Sequence, residues 1–147
     1  MVSKIDIRKQ WKYKGRQCVI LWVESHFCAY VETKLEDVYY GQEFGCYGTS
    51  PESCVEAHGG LTFSGELHKE LGYGKTNFFG CDYAHCGDYR EGSAICGDGK
   101  KWTLKEVEKE TKQMADSIIK YEKVHGKYKK AFESFKKEVE KIQEKKQ

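Results

Sequence analysis

Residues 77 to 88, NFFGCDYAHCGD, set two aspartates, a histidine and two cysteines among small and aromatic residues. Residues 56 to 65, EAHGGLTFSG, add a second histidine followed by two glycines. Together they define a candidate constellation of His58, Asp82, His85 and Asp88, with Cys81 and Cys86 beside it. Three kinds of chemistry suit it. Imidazole and carboxylate ligate zinc and other divalent ions, and a carboxylate often orients a ligating histidine. The metal set would be His58, His85 and Asp88, although their spacing matches no standard metal signature. His85 with Asp82 or Asp88 suits an acid/base pair in which the carboxylate fixes the imidazole tautomer; His85 and Asp82 are the catalytic candidates if the protein is an enzyme. His58 with the Gly59 and Gly60 amides suits capture of an anionic, nucleotide-like ligand, stacked on Tyr73, Phe78, Phe79 or Tyr83. A fourth reading needs no ligand: a histidine bonded to an aspartate satisfies buried polar groups and pins a loop. Cys81 and Cys86 read as small buried residues before they read as nucleophiles or ligands.

These residues need elements to hold them. Trp11 to Trp22 and His26 to Lys34 are rich in β-branched and aromatic residues, and Val23-Glu24-Ser25 joins them, so an antiparallel hairpin is expected, with Lys14-Gly15 as a further turn. Residues 35 to 54 hold the only proline, Pro51, and read as a long irregular connection with a short helical turn at 51 to 55. Val55 to Phe63 and Asn77 to Tyr83 are the next strand candidates. In the second, alternation puts Asp82 on the face opposite Cys81. Glycines at 80, 87, 92, 97 and 99 then exclude a long helix.

The texture changes at Thr103. Thr103-Leu104-Lys105-Glu106 fits a capping box. Leu104, Val107, Thr111, Met114, Ile118 and Tyr121 follow at steps of three and four, and Tyr128, Phe132, Phe135, Val139 and Ile142 repeat the spacing beyond Gly126. Two helices, or one long kinked helix, are expected. About forty residues of helix would reach ~60 Å, further than a small head can cover, so part of the seam should meet a second copy. The fold class is therefore α+β: an antiparallel, loop-rich sheet in a head of residues 1 to 99, then a helical arm in residues 100 to 147 suited to forming a dimer.

Composition narrows the class of function. The chain has 147 residues and 14% aromatics, which suits one folded domain rather than a disordered chain. Seven cysteines, an odd number with no secretion signal ahead of them, argue for reduced thiols. With no span-length apolar stretch, a cytoplasmic protein without membrane partners is expected. Residues 1 to 99 hold 10 Lys and Arg against 14 Asp and Glu, and residues 100 to 147 hold 15 against 9. Tail lysines alternate with glutamates, so they read as a solvated helix face, not a nucleic-acid patch. Phosphate-loop, nucleophile-elbow and Cys-x-x-Cys motifs are all missing, which removes the commonest nucleotide hydrolase, esterase and zinc-ribbon readings.

Phe27-Cys28-Ala29-Tyr30-Val31, Tyr39-Tyr40-Gly41, HGGLTFSG from His58 and FGCDYAHCGD from Phe79 resemble, in that order, a family of small uncharacterised proteins of bacteriophages and prophages. The resemblance spans about residues 11 to 120 and rests on the HGGLT and D-x-A-H-x-G-D motifs. Members carry paired tryptophans where this chain has Phe78-Phe79, and a small residue at Cys86. The resemblance implies a phage setting, in which small proteins often serve host takeover or counter-defence. Binding a small nucleotide-like ligand in a pocket of His58, Asp82, His85 and Asp88, walled by Phe78, Phe79 and Tyr83, is the function expected. Hydrolysis of a phosphodiester-type bond by the same residues, with zinc as the one candidate cofactor, and inhibition of a host protein are the alternatives.

Overall fold

A computed structural model of the chain describes residues 5–35, 55–85, 87–89 and 99–146, the side chains of residues 125, 128 and 129 excepted. Most of the connection expected over 35 to 54, all but Val55 of the helical turn expected at 51 to 55, Cys46, Cys54, Cys86 and Cys96, and the side chain of the seam position Tyr128 lie outside it.

Five strands form one antiparallel sheet: β1 (Ile5–Tyr13), β2 (Arg16–Val23), β3 (His26–Glu32), β4 (Phe63–Glu66) and β5 (Asn77–Asp82), in the order β1-β2-β3-β5-β4. One helix, α1 (Leu104–Lys145), follows, so the chain has the expected α+β architecture. The turn at Lys14-Gly15 is real. Both residues have positive φ, 49° and 77°, the conformation whose twist matches the flanking strands. β1 begins at Ile5, six residues before the expected Trp11, because an exposed edge strand needs no apolar alternation to pair. The strand expected at Val55 to Phe63 is a correction in the other direction. Gly59 and Gly60 have φ of 67° and 89°, and the Gly60 amide donates to the Ala57 carbonyl, so the chain turns there and pairs only from Phe63.

The central strands are covered on both faces, which explains the near-continuous apolar run CVIL in β2. On one face, Cys18, Ile20, Ala29, Val31, Phe79 and Cys81 meet Val107, Met114, Ala115, Ile118 and Tyr121 of α1. On the other, Val19, Leu21 and Phe78 are covered by Leu67, with Phe63, Leu71 and Tyr73 packed around them. Thr103 caps α1 with Glu106 in the expected capping box. The helix then runs unbroken through Gly126, whose cost of about 1 kcal/mol does not end it.

Only the first half of α1 lies on the sheet. Its last anchor is Glu122, which takes hydrogen bonds from Arg16 at 2.7 Å, the Thr33 hydroxyl at 2.7 Å and the Lys34 amide at 2.7 Å. Burial alone would raise the Glu122 pKa, but these donors outweigh it and hold the carboxyl below its ordinary value of 4.5. A depressed carboxyl stabilises the fold above that ordinary value, and the contribution is lost as pH falls through the lower, folded one. Glu122→Gln should therefore cost about 2 kcal/mol at pH 7, and less as the pH drops below about 4. Denaturant melts across pH 2 to 7 check this, and a gap between the two proteins that stays constant with pH would disprove it.

Candidate functional site

The site forms where β5 ends. Asp82 folds its carboxylate back onto the Ala84 amide at 3.1 Å, which turns the chain out of the strand. His85 and Asp88 then close a reciprocal turn: the Asp88 amide donates to the His85 carbonyl at 2.9 Å, and the His85 amide donates to Asp88 Oδ2 at 3.0 Å. Residues 87 to 89 are tied to the approach of α1, with Lys100 donating to the Gly87 carbonyl and Tyr89 donating to that of Lys100. A Cβ at Gly99 would fall 2.4 Å from the Asp88 carbonyl carbon, so only glycine allows this crossing.

Asp88 is the hub. Its buried carboxylate accepts from His58 Nε2 at 2.8 and 2.9 Å, from Trp102 Nε1 at 2.8 Å and from the His85 amide. Burial disfavours its charge, yet the bonds from His58, the His85 amide and Trp102 prevail and hold the carboxyl below the ordinary range. Asp88 is thus an acceptor only, and His58 Nε2 carries a proton. The other ring nitrogen of His58 lies 3.5 Å from Glu110 Oε1, which in turn accepts from the Tyr83 hydroxyl at 2.8 Å. The His58 ring stacks on Tyr83 at 4.1 Å and 5° and meets the edges of Trp102 and His85 at 4.8 and 5.6 Å.

His85 is held differently. Its side chain is 33% exposed, but Nδ1 is buried and has no hydrogen-bond partner, standing 3.6 Å from both Asp82 Oδ1 and Asp88 Oδ2. The ring lies directly over Gly59, where a Cβ would approach it to 2.4 Å. Gly59 is therefore a seat for His85, and the Gly60 amide is spent on Ala57, so the pair does not offer two free amides to an anion. Donor atoms of His58, His85 and Asp88 all lie within 4.8 Å of one another, the one such group among the described residues.

The structure thus joins His58, Asp82, Tyr83, His85 and Asp88 but not Phe78, Phe79 or Tyr73. Strand alternation sends Phe78 and Phe79 to opposite faces of a sheet covered on both, and each is fully buried, so neither walls a pocket. Tyr73 packs on Phe78 on that far face. Cys81 is inert as a nucleophile. Burial pushes its thiol up to about 12, although the His58 amide donates to its sulfur. Trp102 and Glu110 are the residues that sequence reading missed. A charged residue at position 110, three after Val107 and four before Met114, is on the buried side of α1, and that phase was the available signal.

An aromatic cleft lies on the outer side of Tyr83 and Trp102. It is half-open, encloses about 290 Å³, and is also lined by Trp22, His26, Phe27, Tyr89 and Lys101. Lys101 stands over Tyr89 at 4.5 Å, so a cation borders a recess whose lining is about equally polar and apolar, and Arg8 stands over the Trp22 ring at 5.1 Å without being one of its walls.

The fold and the site define an α+β protein with a histidine-aspartate hub behind an aromatic cleft. No family model, curated protein or solved structure matches the chain. No helix among the described residues is long and apolar enough to cross a membrane.

Proposed function

We propose that the protein binds a small, planar, anionic ligand of nucleotide type, and that the aromatic cleft receives it. One observation carries this reading: Trp22, Phe27, Tyr89 and Trp102 surround a recess of about 290 Å³ that has Lys101 among its walls. That volume is near the low end of small-molecule sites, roughly 300–1,000 Å³, and suits a single ring system with its phosphate toward the rim. The hub behind the cleft takes no part in holding the nucleotide, because the Asp88 carboxylate and the His85 and Gly60 amides are already engaged within the protein. In the phage setting that the resemblance implies, capture of a host nucleotide signal is the use such a protein would have.

Calorimetry with adenine and guanine mono-, di- and cyclic nucleotides tests the reading. At least one should bind, and Trp22→Ala should weaken it roughly tenfold, since one lost stacking surface is worth about 1–3 kcal/mol. Failure of every nucleotide to bind would end the proposal. The hydrolase reading has one observation in its favour, the His85 ring set between Asp82 and Asp88. Ligand recovered intact after incubation supports capture, whereas cleaved product supports hydrolysis.

We also infer that the distal half of α1 pairs with a second copy of the chain. The apolar stripe that meets the sheet through Tyr121 continues without change of phase, and there Phe132 and Phe135 are 61% and 66% exposed. Roughly 35 Å of helix lies beyond Glu122, and an isolated helix of that length is marginal in water. A three-four repeat in step with itself fits an identical helix.

A further inference from the structure

We propose that His58, His85 and Asp88 hold a divalent metal ion of the zinc class, with Asp82 offering a fourth oxygen. This does not depend on what the aromatic cleft binds.

The distances fit two sides of one coordination shell. His58 Nε2 is 2.8 Å and His85 Nδ1 is 3.6 Å from the same oxygen, Asp88 Oδ2. Two ligands about 2.0–2.1 Å from a tetrahedral zinc are themselves roughly 3.4 Å apart, so the His85–Asp88 edge is already close to that spacing, while His58 must draw back from Asp88 by about half an ångström to admit the ion. Asp82 Oδ1 is 3.6 Å from His85 Nδ1 but is not among the atoms that lie within 4.8 Å of one another, so its carboxylate must rotate inward to reach the ion.

His85 Nδ1 supplies independent support. It is buried, faces two carboxylates and bonds to neither, and an unsatisfied interior nitrogen costs about 1–3 kcal/mol. A cation among these atoms removes that cost. It also offsets the negative charge that Asp82, Asp88 and Glu110 gather around two imidazoles.

The surroundings suit a metal as well. A ligating histidine ordinarily points its second nitrogen at a carboxylate, as His58 Nδ1 points at Glu110, and Trp102 orients the Asp88 oxygen turned away from His85. Stacking on Tyr83 and the seat at Gly59 fix both rings before any ion arrives. Metal entry at Nε2 requires the neutral His58 ring to carry its one proton on Nδ1 instead, toward Glu110, a change of tautomer with no net proton released. The two-nitrogen set selects zinc over magnesium or calcium, which take oxygen ligands.

The test uses the full chain, stripped with chelator and titrated with zinc against a chromophoric competitor, with elemental analysis of the loaded protein. One zinc per chain is expected. Because the His85 side chain is partly exposed, His85→Ala should keep the fold by circular dichroism. It should weaken zinc by more than the roughly 10–100-fold that loss of an outer partner costs, and Asp82→Asn should weaken it by less. Cobalt should give the intense visible bands of a four-coordinate site in wild type and not in folded His85→Ala. Zinc bound equally by His85→Ala, no stoichiometric zinc in wild type, or a preference for magnesium or calcium would each overturn the proposal. Nucleotide calorimetry on the stripped protein reports on the cleft separately, so either proposal can fail alone.

Discussion

Asp88→Ala should be the most damaging single substitution in the head, lowering stability by about 4 kcal/mol. The change removes the acceptor of three donors in one step: His58 Nε2, Trp102 Nε1 and the His85 amide. Each buried donor left without a partner costs about 1–3 kcal/mol, and partial relaxation or an entering water recovers some of the sum. For a chain of this length that corresponds to a melting point lower by roughly 10 °C. The loss is topological as well as local, because these donors come from the turn after Ala57, the turn after β5 and the entry to α1. Asp82→Ala is the matched control. Its carboxylate is 32% exposed and its bond is to Ala84 two residues away, so about 1 kcal/mol is expected. Thermal melts in chelator isolate the hydrogen-bond hub from any contribution of a bound ion. Equal melting points for Asp88→Ala and Asp82→Ala would show that Asp88 does not tie the three segments together.

That hub was half legible in the sequence. Residue chemistry and short spacing single out His58, Asp82, His85 and Asp88, and the strand at Asn77 with its turn beyond Tyr83 makes their convergence reasonable. What spacing cannot convey is which polar groups spend themselves on one another. The Gly59-Gly60 pair reads as an anion cradle until the His85 ring is found resting on Gly59 and the Gly60 amide turned to Ala57. Phe78 and Phe79 failed as walls for a related reason. Their alternation was readable, but the cover on the second face comes from Leu67 and Tyr73, in a segment whose glycines suggest only a loop. The cleft was hidden because its residues come from both ends of β2 and β3's turn, from Tyr89 and from Lys101-Trp102, which no local pattern links. The arm was the opposite case. Capping box, period and length were all local signals, and each appears in α1 as the sequence has it.

The same repeat supports the prediction with the widest reach. Phe132→Ser with Phe135→Ser should convert a dimer into a monomer while leaving the melting of the head nearly unchanged. Both side chains are more than half exposed on the single chain and lie in phase with Ile118 and Tyr121, which are buried against the sheet. Burying a phenylalanine is worth about 1.5–3 kcal/mol, and a symmetric pair of arms buries four at these positions. Removing them all takes away about 8 kcal/mol, more than enough to move a micromolar association out of reach. Lys137→Glu, two residues from Phe135 and off the stripe, should leave the association intact. Sedimentation velocity across a hundredfold range of concentration distinguishes the cases. If the wild-type chain sediments as a monomer throughout, the exposed phenylalanines have no second copy to meet and the pairing of the arms is disproved.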